Sequence, residues 1–197
     1  MTDTPPITRD ATITLRELTV DNYYDVLRLK VADSQRIYLA DNAKSIAQAH
    51  FHKEAWFRGI FADETAVGFI MLSDKPDKPE YFLWRLMIGE QFQGLGFGKK
   101  AVELLIEHVK TRPNATELFV SYVPDGDQRP GVVAGGVARI AVGHGGLGVA
   151  EDAAAVGEGP EVVELDLLEL GGVGLLNRLV RKRLGVAVAF FTDLGKQ

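Results

Sequence analysis

Residues 81–101 read YFLWRLMIGEQFQGLGFGKKA, and the fold turns on what this stretch joins. Its first part, YFLWRLMI, is the most apolar and aromatic run in the chain and has the composition of a buried strand. From Phe97 onward, FGKKAVELLIEHVKTR puts Ala101, Leu104, Leu105 and Val109 on one helical face. Lys100, Glu103, Glu107 and Lys110 lie largely on the other. Between strand and helix, Gly94, Gly96 and Gly98 alternate ahead of Lys99 and Lys100. A strand, a glycine-rich turn and a helix start, in that order, make an anion site. The first N–H groups of a helix lack intrahelical partners, the macrodipole adds positive character, and glycine lets the backbone come close to a phosphate.

The flanking segments extend the pattern on both sides. Upstream, ATITLREL alternates like a half-buried strand. Asp21 stands where a helix cap belongs, before NYYDVLRLKVADSQ, and a second helical stretch runs roughly over residues 45–57. GIFADETAVGFIMLS reads as a hairpin turning at Asp63 and Glu64. Downstream, Pro113 and Asn114 end the helix and TELFVSYVP returns as a strand. The order strand, two helices, three strands, helix, strand describes an α/β domain with a mixed sheet.

The 197 residues suffice for one domain with a sizeable core or one domain plus an appendage. A net charge of -5 argues against nucleic acid, whose backbone attracts basic surfaces. The lack of cysteine excludes disulfides, thiolate metal sites and cysteine nucleophiles. No apolar run approaches the ~20 residues of a membrane helix, and MTDTPPITRD is no signal peptide. The expectation is a cytoplasmic protein with no nucleic-acid or membrane partner, for which a homodimer is an allowed assembly.

Three phosphate loops compete for residues 93–100. A Walker loop needs four residues between its first glycine and Gly-Lys, then a hydroxyl residue; Gly94 to Gly98 leaves three, and Lys100 stands in the hydroxyl's place. A dinucleotide fingerprint needs glycine where Lys99 stands, and a parallel sheet that the preceding hairpin contradicts. The third pattern is Gln or Arg, two residues, Gly, one residue, then Gly or Ala, met by Gln93, Gly96 and Gly98. It resembles the acyl-CoA pyrophosphate loop of the GNAT superfamily of N-acetyltransferases. With LFVSYVP and LADNAKSIAQA, the stretch is similar to the branch containing bacterial spermidine and diamine acetyltransferases, over about residues 12–124.

That resemblance implies a mixed, mostly antiparallel sheet flanked by helices, with acetyl-CoA as co-substrate and no metal cofactor. It implies a small amine acceptor, a polyamine in the branch just named, that attacks the thioester directly. The pantetheine arm would bond to the backbone of Leu86, Met87 and Ile88, the Ile88 N–H would polarise the thioester carbonyl, and Gln93, Gly94, Leu95, Gly96, Phe97, Gly98 and Lys99 would take the pyrophosphate. On side chains alone Met87 and Ile88 are core residues. Trp84 and Arg85 are candidates to line the acceptor pocket, although a strand tryptophan is more often packing. Glu17, Asp41 and Glu80 are candidate carboxylates for a cationic acceptor or a water-relayed base, although such a residue is more often a solvated surface charge. His50 and His52 lie two apart on a helix and share no face, so no metal site is expected.

The domain plan is a flexible segment 1–11, an acetyl-CoA-binding core 12–125 and an atypical ending 126–197. Residues 131–197 hold 14 of the 21 glycines but only Phe190 and Phe191 of the 17 aromatics, too few for a well-packed core. Only EVVELDLLEL and GLLNRLVRKRL there look able to order. The family's Tyr-bearing helix, its usual general acid, has no match, because no tyrosine follows Tyr122. The acid is therefore unassigned. Two explanations stay open: an ending replaced by a frameshift, and a divergent extension. A second function stays open with them, an acyl-CoA-binding protein without turnover.

Overall fold

The computed structural model describes residues 6–36, 39–124 and 136–142, with the backbone of 162–164 and 186–187. Its order is β1 (Ile13–Arg16), α1 (Tyr23–Leu27), α2 (Asn42–Phe51), β2 (Ala55–Ala62), β3 (Thr65–Lys75), β4 (Glu80–Ile88), α3 (Phe97–Lys110), β5 (Glu117–Pro124) and β6 (Gly136–Ala141). The strands lie in sequence order across one sheet. Every neighbouring pair among these six is antiparallel except β4 and β5, which run parallel. Short segments at Val162–Glu164 (β7) and Val186–Ala187 (β8) pair with β6 and β5.

Strand periodicity sorts the sheet's side chains to two faces. One face carries Ile60, Ile70, Leu72, Leu83 and Leu86 and is covered by α3 through Phe97, Ala101, Val102, Leu105, Ile106 and Val109. The other carries Phe61, Phe69, Met71 and Met87 and is covered by Val26 of α1 and Ala49 of α2. The helical face expected for α3 is right at Ala101, Leu105 and Val109 and wrong at Leu104, which is exposed. Burial rotates toward Val102 and Ile106, because the helix packs with a broad stripe rather than a narrow seam.

Several boundaries differ from expectation. α1 spans only Tyr23–Leu27, preceded by Asn22 rather than capped by Asp21. α2 starts at Asn42, not 45, because the Asp41 carboxylate accepts from Lys44 N–H at 2.7 Å and caps it. Residues 55–57, expected in that helix, open β2. The hairpin turns at Asp63, whose φ of 51° places it in the left-handed region. Its carboxylate accepts from Thr12 N–H at 3.0 Å. Both ends of the core also reach further than the plan. Ile7 packs on the core and Ala11 is buried within the segment set aside as flexible. Past residue 125, β6 pairs with β5 from Glu117 to Tyr122, and Ile140 and Val142 enter the α3-side core. GLLNRLVRKRL, expected to order, lies outside the described residues.

Candidate acetyl-CoA cleft

β4 carries a bulge. Met71 pairs with Arg85 and Leu72 with Leu83, which leaves Trp84 as the extra residue. Trp84 and Arg85 consequently point to the same face, toward α2, where Trp84 packs and Arg85 bonds to Gln48. On its other edge β4 pairs with β5 only at Phe82–Phe119 and Leu83–Val120. Beyond that point the strands part, and the parting starts at the bulge.

The phase of the β3–β4 ladder determines what β4 presents to this gap. Gly89 N–H donates to Val67 O at 2.9 Å, so Val67 and Gly89 are a hydrogen-bonded pair. In an antiparallel ladder such pairs alternate, which makes Phe69–Met87 hydrogen-bonded and leaves Gly68–Ile88 and Ile70–Leu86 without mutual bonds. The backbone N–H and C=O of Leu86 and Ile88 therefore face away from β3, into the gap. Those of Met87 face β3, so Met87 drops out of the expected backbone set. The Ile88 carbonyl accepts from the Gln93 side chain at 2.9 Å, in keeping with this phase.

Gly89 leads from β4 through a single 3-10 turn (Glu90–Phe92) into the glycine loop. Gly94 and Gly96 adopt φ of 80° and 84°, a region that L-residues with a Cβ rarely enter. No atom lies within 4 Å of where a Cβ would sit on either, so the loop borders open space. Gly96 caps α3 with no side-chain bond, leaving the first helical N–H groups, from Phe97, Gly98 and Lys99, for a ligand. Phe97 anchors the helix start in the core. A pyrophosphate fits a loop of this geometry.

The loop's charged and polar side chains are arranged otherwise than expected. Lys99 Nζ lies 3.6 Å from Glu103 Oε1, and Lys100 Nζ donates to the carbonyls of Arg9 (2.8 Å) and Ala11 (3.1 Å). Lys100 thus fastens the amino-terminal segment. Arg9, which sequence reasoning passed over, reaches the loop and donates to Gly94 O at 3.3 Å. The Gln93 amide bridges Ile88 O and Gln35 Oε1 at 2.9 Å each, so this motif residue braces the loop with its side chain. Gly68, opposite Ile88, was also missed: a Cβ there would come within 2.4 Å of Met87 O. A glycine inside the strand signal AVGFIML was the available hint of close backbone approach.

The candidate substrate residues are not gathered into one pocket. Glu80 stands at the opposite end of β4 from Ile88, roughly 26 Å away at strand rise, where Lys75 pairs with it at 3.4 Å. Glu17 follows β1, the far strand of the sheet, and pairs with Arg58 at 3.0 Å. Asp41 caps α2. Trp84 and Arg85 alone flank the gap, from the α2 side. His50 contacts Phe51, while His52 contacts Trp84 and Glu54. Among the described residues no group of three or more His, Asp or Glu is placed to hold a metal, and no helix is long and apolar enough to cross a membrane.

Parted parallel strands, two backbone donors facing the gap and a glycine loop at a helix start make up the candidate cleft. A family model described as the Acetyltransferase (GNAT) family matches residues 15–129, more than half of the chain. The protein belongs to that family. Among curated relatives, the spermine/spermidine N(1)-acetyltransferase of Bacillus subtilis strain 168 is 28% identical over 118 residues, covering 55% of this chain and 76% of the relative. Among solved structures, the ribosomal-protein-S18-alanine N-acetyltransferase of Escherichia coli aligns with a TM-score of 0.45 at 13% identity, covering 59% of this chain and 70% of that one. The spermidine N-acetyltransferase of Vibrio cholerae in complex with CoA and spermine gives 0.43 at 14% identity, over 56% and 71%.

Proposed function

We propose that this chain transfers the acetyl group of acetyl-CoA to the primary amine of a small molecule, by direct attack of the amine. The observation that carries the reading is the departure of β4 from β5 beyond Leu83 and Val120, with Leu86 and Ile88 presenting their N–H groups there. Acetyl-CoA, when bound, supplies an acetyl group activated as a thioester. The Ile88 N–H is the donor for the carbonyl oxygen, and Leu86 bonds the pantetheine arm. The backbone from Gln93 to Lys99, with the Arg9 guanidinium beside it, holds the pyrophosphate. Transfer forms the N–C bond and breaks the C–S bond; the amine loses a proton and the thiolate gains one. Catalysis of this kind is chiefly positioning and carbonyl polarisation.

A polyamine acceptor is suggested by the name of the Bacillus subtilis relative. The test is release of free thiol from acetyl-CoA across a panel of amines that includes spermidine, spermine, diamines and amino acids. Amine-dependent release supports transfer. Binding of acetyl-CoA with no release from any amine would replace this reading with that of an acyl-CoA-binding protein.

A further inference from the structure

Arg85 is the largest fully buried side chain in the described part of the molecule, 2% exposed. Its Nη2 donates to Gln48 Oε1 at 2.5 Å, whereas Nε and Nη1 have neither solvent nor an acceptor. Asp41, whose charge favours the guanidinium, makes no ion pair with it and instead caps α2. Burial pulls the guanidinium down to about 10, against the favourable pull of Asp41, so the group remains a cation at neutral pH. A buried cation with unused donors is costly, and few native polar groups are left in this state without a reason.

Location supplies the reason. Arg85 belongs to the bulge that starts the gap, and the next residue, Leu86, presents its N–H to that gap. The helix that covers it, α2, turns polar residues inward: Asn42 and Ser45 are buried and Gln48 is bonded to Arg85. Resting on the transfer reading above, we propose that Arg85 recognises a carboxylate on the acceptor amine, which takes the place of the Gln48 carboxamide. A guanidinium is a rigid planar fork that matches the two oxygens of a carboxylate, and such charge-assisted bonds are stronger than the neutral-acceptor bond they replace. An all-cationic polyamine brings no acceptor group to this position and meets a like charge. The acceptor class assigned here is thus a small amine bearing a carboxylate.

Two matched pairs of probes test this, since members of each pair differ only by the carboxylate: 1,4-diaminobutane against ornithine, and 1,5-diaminopentane against lysine. With acetyl-CoA, the carboxylated member is expected to have the higher kcat/KM by about tenfold or more, the scale of a hydrogen bond to a charged group. Gln48→Glu supplies an internal carboxylate to Arg85, avoids the folding risk of removing the arginine, and should bring both ratios to about one. Arg85→Met should do the same. Diamines favoured over their carboxylated partners, or ratios unchanged in Q48E, would overturn the proposal and mark Arg85 as structural. If no amine releases thiol, the transfer reading fails separately, and calorimetry of lysine against the CoA-loaded protein still decides. Binding to the native chain that is lost in Q48E supports the carboxylate site, and absence of binding to the native chain rejects it.

Discussion

Ile88 sits in a non-hydrogen-bonded pair with Gly68, so its N–H takes no part in the β3–β4 ladder and proline there removes no sheet bond. Ile88→Pro is therefore expected to lower kcat roughly 10²–10³-fold, as loss of an oxyanion-type donor does, while melting stays within a few degrees of the native chain. A melting temperature that collapses with the activity would contradict the assigned phase of the ladder. This phase was not legible in the sequence. Leu86, Met87 and Ile88 look alike as apolar strand residues, and residue type carries no record of which neighbour an N–H faces. Gln93 shows the converse. Its place in the motif was legible, but its side-chain bond to Gln35 depends on a 3-10 turn (Asp33–Gln35) distant in sequence.

Among the elements, the hairpins and α3 were readable because their apolar periods are long and their turns carry Asp, Gly or Pro. α2 was misplaced at both ends for physical reasons. Asp41 was weighed as a substrate carboxylate although it begins a helix, and the apolar trio at 55–57 suits either period. Gly68 shows why β3 holds β4 where it does. Gly68→Ala places a Cβ against the Met87 carbonyl, backbone that has to move, so a loss of roughly 1–3 kcal/mol in denaturant titration is expected, together with lower activity.

The carboxy-terminal end of α3 carries a different sensitivity. His108 stacks on Trp56 at 4.2 Å, and its Nε2 is buried without a partner. Burial, and then the Arg112 charge, hold its pKa below the ordinary value of 6.5. The unfolded chain thus takes up the proton first. The stability from neutral His108 is complete above about pH 6.5 and is lost as pH falls through the depressed folded value. His108→Phe keeps an aromatic ring on Trp56, and its melting temperature should fall less than the native one between about pH 7.5 and 5. Parallel curves would exclude His108 as the source.

For the whole molecule, the sheet and its two helical layers could be read from element order, whereas the core's extent could not. Of the stretch from 131 onward only EVVELDLLEL and GLLNRLVRKRL were read as able to order, yet Gly136–Ala141 forms β6 along β5 from Glu117 to Tyr122. A six-residue strand in glycine-rich surroundings has too short an alternation to stand out, and pairing with β5 rather than local propensity holds it. Ile140→Ala should consequently destabilise the entire domain by roughly 2–5 kcal/mol in one cooperative transition. A change confined to a separate, weaker transition would place β6 outside the folding unit.

The alternation along the end of β4 also makes that strand a reporter. Its amides have opposite fates, with Met87 locked into the ladder and Leu86 and Ile88 facing a gap that a ligand fills. In hydrogen exchange of the free protein, Leu86 and Ile88 should lose their label quickly and Met87 slowly. Saturating CoA should slow the fast pair and leave Met87 unchanged. Occupancy of the cleft then becomes visible one residue at a time, with no acceptor and no turnover.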